Sequence, residues 1–201
     1  MCAPNTPRCV GTSPASASQK AMARAVACAP DRAYYVYRLG EVHHLLGERA
    51  EVARLFSHAV KLAADDPFYH YKLGELHFRQ GRLDEATVSY EAACRHAPAD
   101  DFYHIRLAVA YARQEQHERA LAIFRRAILI EPRNPAYRFL LAEQLALMGF
   151  EEYAQEQYRV AGRLDQYDQD YVQRVRSRFG ADLRGENDLG DEGRRGPRNG
   201  G

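Results

Sequence analysis

The feature that most constrains this chain is a 34-residue period. Written from Ala33 in rows of 34, the sequence aligns without a gap, and the rows begin at Ala33, Pro67, Asp101 and Pro135. Column seven is Leu39, Leu73, Leu107 and Leu141, and column eight is Gly40, Gly74, Ala108 and Ala142. Columns twenty and twenty-seven hold smaller residues: Val52, Ala86, Ala120, Ala154 in the first and Ala59, Ala93, Ala127, Ala161 in the second. Column twenty-four is aromatic throughout (Phe56, Tyr90, Phe124, Tyr158), and column three is Tyr35, Tyr69, Tyr103 and Tyr137. At this period each row is one supersecondary unit that cannot bury its apolar face alone and must stack on its neighbours.

The spacing within a row predicts two helices. Columns four, seven, eight and eleven share one helical face, and columns twenty, twenty-four and twenty-seven share a second. Between them, Gly47, Gly81 and Gly149 stand at column fifteen, where the first helix must stop and the chain reverse. Glu115 takes that place in row three. Small residues at columns eight, twenty and twenty-seven let the helices approach closely, and large ones at seven and twenty-four fill the space between. Asp66–Pro67 and Asn134–Pro135 read as an N-cap followed by proline at the first helical position. Pro98 and Pro132 end the preceding helices by denying them a backbone donor.

This pattern resembles the tetratricopeptide repeat family over residues 21–179, in its Leu–Gly/Ala pair, turn glycine, Ala/aromatic/Ala columns and terminal proline. The departures are column four, usually aromatic and here Val36, His70, His104 and Arg138, and the terminal proline, replaced by Ala64 and Gln166. The resemblance implies an all-α fold, a right-handed α-solenoid of stacked helical hairpins. The expected organisation is a disordered leader at 1–20, a half repeat at 21–32, and repeats at 33–66, 67–100, 101–134 and 135–168. A capping helix at 168–179 follows, with Tyr171, Val172, Val175 and Phe179 on its apolar face, and then a disordered Gly-rich tail at 180–201.

Composition narrows the function classes. Lys+Arg is 28 against Asp+Glu at 27, for a formal net charge of +1, which argues against a nucleic-acid partner and a polybasic membrane contact. No apolar run is long enough for membrane insertion. The four cysteines form no CxxC pair, and Cys28 and Cys94 read as small buried hydrophobes of a reduced, cytoplasmic protein. Arg outnumbers Lys 25 to 3, as in GC-rich bacterial genomes.

No catalytic constellation, phosphate loop or metal-ligand spacing is present, so the expectation is a non-enzyme with no cofactor and no metal. His70 and His104 share column four, and His43 and His77 share column eleven, so repeat position accounts for them as packing residues.

The resemblance further implies that the first helices of successive rows line a concave groove, exposed mainly through columns two, five, nine, twelve and thirteen, beside column six. The candidate peptide-binding residues there are Tyr34, Tyr37, Arg38 and Glu41 in row one, and Phe68, Tyr71, Lys72, Glu75, Phe78 and Arg79 in row two. Row three offers Phe102, Arg106 and Arg113, and row four Phe139 and Glu143. Large aromatics beside arginine are the usual composition of a protein-binding hot spot. The family's carboxylate clamp, set against these columns, is matched only by Arg106. The expected ligand therefore offers apolar side chains with mixed or basic charge, met by Glu41, Glu75 and Glu143. The leading expectation is a non-catalytic interaction scaffold that binds a partner protein in the groove. The alternatives are an accessory subunit of an enzyme system, such as one containing a glycosyltransferase, and a protein that self-associates through its N-terminal end.

Overall fold

The structure, a computed structural model, describes residues 14–164 together with Ser177, Asp182 and Leu183. Among these residues the fold is all-α. The chain divides into two compact units, Met1–Ala63 and Ala64–Gly201.

The first unit holds α1 (Pro14–Cys28), α2 (Ala33–Leu45) and α3 (Arg49–Leu62). Helices α2 and α3 form a hairpin, and α1 packs on α2. Val36, Leu39, Val52, Leu55, Phe56 and Ala59 are among its buried apolar side chains. The leader expected to run to residue 20 is corrected at its end, since α1 begins at Pro14. The reason is local: proline suits the first helical turn, and the alanines that follow are the best helix formers. Cys28 is exposed rather than buried, because it lies at the last turn of α1.

The second unit holds three hairpins: α4 (Pro67–Arg79) with α5 (Leu83–His96), α6 (Asp101–Arg113) with α7 (His117–Ile130), and α8 (Pro135–Leu147) with α9 (Glu151–Arg163). Successive hairpins join through α5 against α6 and α7 against α8. One apolar cluster runs through the unit, and Tyr90, Ala93, Phe124, Ala127, Leu141 and Ala154 belong to the residues it buries. Helices α2, α4, α6 and α8 begin at the first residue of each row.

Two local devices repeat. Asp66, Asp100 and Asn134 each accept a hydrogen bond from the backbone N–H two residues on, at 2.9, 3.0 and 3.1 Å. At the other end of each first helix the chain leaves through a left-handed residue, Gly47 (φ 77°), Gly81 (φ 72°), Glu115 (φ 60°) or Gly149 (φ 81°). The next N–H then returns to the last turn, Glu48 to the His43 carbonyl, Arg82 to His77, Gln116 to Tyr111 and Phe150 to Leu145, at 2.9–3.0 Å. This six-to-one bond is the Schellman closure, and it sets the same reversal in every row. Gly40 and Gly74 serve another purpose: a Cβ on either would lie 2.7 Å from the Phe56 or Tyr90 ring. Glycine there is what allows the column-twenty-four ring to lie flat against the first helix.

The expected capping helix at 168–179 and most of the expected tail lie outside the described residues. Within that tail, however, Asp182 and Leu183 are helical and buried, which corrects the expectation of disorder at those two positions.

Candidate functional site

In the second unit, side chains of two successive first helices meet around one guanidinium. Arg106 of α6 is 2 % exposed, its guanidinium carbon lying over the rings of Phe78 (5.0 Å) and Tyr90 (5.7 Å). Its Nη2 is 2.5 Å from Glu75 Oε1 of α4, and the same nitrogen donates to the Tyr90 hydroxyl at 3.3 Å. The Tyr90 hydroxyl in turn donates to Glu75 Oε1 at 2.6 Å. Arg106 Nη1 donates to Asp182 Oδ2 at 2.5 Å. Arg113, two turns further along α6, donates through Nη1 to the Asp182 carbonyl oxygen at 3.2 Å and lies over Phe78 at 5.7 Å. Leu183 is buried in the apolar cluster that also contains Phe78, Ile105 and Val109.

The electrostatics follow from that geometry. Burial works against the charge on Arg106, but Tyr90, Glu75 and Asp182 outweigh it and hold the guanidinium above its ordinary pKa. Burial also lifts Tyr90 well above the usual phenol range, so it stays a neutral donor, and Arg106 offsets only part of that rise. Burying so many charged groups is stable only because each has a partner.

The other expected residues fall into separate groups. Phe68 and Arg79 are exposed on α4, and the Lys72 ammonium lies 5.3 Å from the Phe68 ring and 5.5 Å from the Tyr71 ring. Tyr71 is buried rather than exposed, with its ring 5.2 Å from Phe102 and 6.3 Å from Tyr90. Phe78 is buried likewise beneath the two arginines, so these aromatics form the floor of the surface and not its face. In the last hairpin Phe139, half-buried, meets Tyr158 at 5.8 Å. In the first unit Tyr34 is exposed, whereas Tyr37 is buried against Phe56 at 5.1 Å and Arg38 pairs with Glu41 at 2.6 Å.

The glutamates of column nine, expected to meet the basic charge of a ligand, are engaged within the fold. Each accepts a hydrogen bond from a tyrosine of its own hairpin: Glu41 from Tyr37 at 2.5 Å, Glu75 from Tyr90 at 2.6 Å, and Glu143 from Tyr158 at 3.1 Å. They are satisfied inside the fold, and the charge that reaches Asp182 is the arginine's. The sequence carried a signal for this, since rows two and four pair Glu at column nine with Tyr at column twenty-four, while row three pairs Val109 with Phe124.

The histidines of column four close turns. His70 Nε2 is 2.7 Å from the Ala64 carbonyl and His104 Nδ1 is 2.8 Å from that of Asp100. Two tyrosines of column three bridge rows within the second unit: Tyr137 donates its hydroxyl to Asp101, and the Tyr103 ring lies 5.6 Å from that of Tyr71. Asp182 and Leu183 were beyond sequence reasoning, because no repeat column contains them.

Family models described as tetratricopeptide repeat match residues 77–144 and 49–103. Among solved structures, the chain is similar to MamA 41-end from Desulfovibrio magneticus RS-1, at TM-score 0.67 and 19% identity, covering 76% of this chain and 86% of that one. It is similar to YrrB, described as a TPR protein with an unusual peptide-binding site, at TM-score 0.65 and 16% identity over 81% of this chain and 84% of that one. A third likeness is to TTC0263, a thermophilic TPR protein of Thermus thermophilus, at TM-score 0.57 and 23% identity over 84% and 90% of the two chains. No curated protein matches. At these identities the likenesses speak for the fold.

Proposed function

Because the chain is a tetratricopeptide-repeat protein, a fold that serves protein–protein interaction, we propose that it is a non-catalytic scaffold whose first-helix faces hold a segment of a partner protein. The observation that carries this reading is the meeting of Arg106 and Arg113 of α6, backed by Glu75 and Phe78 of α4, with Asp182, which with the buried Leu183 lies outside every repeat. A surface that holds an extraneous piece of chain by charge, main-chain hydrogen bond and apolar burial has the elements of a peptide site. The exposed ring of Phe68 beside Lys72 extends that surface along α4. The peptide-binding site in the printed description of YrrB supports the same use of the fold.

Site-specific photo-cross-linking tests it. A photoreactive phenylalanine placed at Phe68, Arg79 or Arg113 is expected to capture a partner, while the same group at Val88 or Leu129, exposed on the second helices, captures none. Capture from Val88 and Leu129 alone would remove the first-helix faces from the function.

A further inference from the structure

We propose that Asp182–Leu183 is an internal occupant of the partner site, and that the external ligand is a peptide segment carrying an acidic residue followed by leucine, which displaces it. This rests on the scaffold reading and names the chemistry of its ligand.

Three contacts define what the surface recognises. The Arg106 guanidinium reads a carboxylate, at 2.5 Å from Asp182 Oδ2. Arg113 reads the main chain, through the Asp182 carbonyl, a group any peptide presents. The core cluster that contains Phe78, Ile105 and Val109 also buries the leucine, which is 7 % exposed. Charge, backbone and side chain are thus all read, over two adjacent residues.

A second argument concerns release. When a buried charge loses its only partner the cost is several kcal/mol, about 3–5. Arg106 escapes that cost, because Glu75 Oε1 at 2.5 Å and the Tyr90 hydroxyl at 3.3 Å remain with it. The guanidinium therefore keeps a counter-charge when Asp182 leaves, while Arg106 Nη1 and Arg113 Nη1 give up bonds that an incoming acidic residue would replace. The repeat supplies no column that demands Asp182, and the same Asp–Leu pair recurs at Asp188–Leu189 in the Gly-rich sequence that follows. Because the occupant is tethered, its effective concentration is on the order of millimolar, so a competitor must bind well or arrive with a second contact. The contact thereby sets a threshold for partner binding.

The test uses the full-length chain. A fluorescent peptide of residues 178–186 is titrated against the wild type and against a variant carrying Asp182→Asn, Leu183→Ala, Asp188→Asn and Leu189→Ala, both pairs being changed so that neither can refill the site. Binding to the variant is expected to be about tenfold or more tighter than to the wild type. A peptide with Asn and Ala in place of its Asp and Leu is expected to bind neither. Equal affinity for the two proteins, or none for the variant, overturns the proposal.

A second measurement leaves Asp182 in place. In a chain whose four native cysteines are replaced, Leu183→Cys is labelled with a maleimide, and excess peptide is expected to raise the labelling rate about tenfold. An unchanged rate overturns displacement. Should both fail while Phe68 and Arg113 still cross-link a partner, the ligand chemistry falls and the scaffold reading stands.

Discussion

Glu115 holds the left-handed conformation that Gly47, Gly81 and Gly149 hold in the other rows, at φ 60°. An L-residue in that region carries a steric cost of about 1–2 kcal/mol that glycine avoids, offset in part by glycine's larger chain entropy. Glu115→Gly is therefore expected to stabilise the protein by about 0.5–1 kcal/mol, read as a rise in the urea midpoint. His77 makes a different prediction. Burial pushes its pKa below the ordinary histidine value, ahead of smaller opposing contributions from Glu85, and its Nδ1 has no hydrogen-bond partner among the described residues. In acid the unfolded chain binds a proton that the folded chain resists, so this contribution is full above the ordinary histidine range and is lost as pH falls through it. His77→Gln is expected to lose less stability than wild type between about pH 7.5 and 5.5, and an equal loss in thermal melts at those two pH values would refute this. Cys94, with burial as the main cause and Asp100 and Glu91 assisting, has its thiol pushed up to about 12. Its labelling at about pH 8 is expected to be about a thousandfold slower than that of an ordinary exposed thiol.

Among the helices, the first of each hairpin in the second unit is started by a side chain and the second is not. Asp66, Asp100 and Asn134 cap α4, α6 and α8, whereas Arg82, Gln116 and Phe150 precede α5, α7 and α9 with no side-chain cap. Asp66→Ala and Asp100→Ala are each expected to cost about 1 kcal/mol in denaturant melts. Arg82→Ala, which loses only an exposed pair with Glu85 at 3.7 Å, is expected to cost little. The helices were legible in the sequence because columns and breakers agree: each apolar face has helical spacing, and each row has its own stop. The early start of α1 was less legible, since Pro14 and the serines beside it read equally as leader. The candidate surface was legible as a set of columns but not as an arrangement. Column position does not reveal that Tyr37 and Tyr71 turn inward, or that Glu75 is already spoken for by Tyr90 and Arg106. Asp182 lies 76 residues from Arg106, and a contact at that separation leaves no trace in a local pattern.

At the scale of the molecule, the Arg106 cluster belongs to one of the two compact units. Arg106→Met leaves Glu75 and Asp182 buried without their guanidinium, a loss of about 3–5 kcal/mol. Hydrogen exchange is expected to show that loss across α4–α7, with protection in α2 and α3 unchanged, because stability in stacked repeats is carried by neighbouring contacts. Uniform loss over both units would show instead that the chain unfolds as one. The closure that ends every first helix has a further consequence for how such a chain can change over evolutionary time. Each residue added within a helix rotates everything beyond it by about 100° and carries a whole face out of register with its neighbours. With a first helix of 13 residues in every row and a constant row of 34, single insertions are penalised throughout the row, while duplication or loss of a complete row restores every contact it disturbs. Chains built on this device vary in length by whole rows, and their grammar is one of words rather than letters.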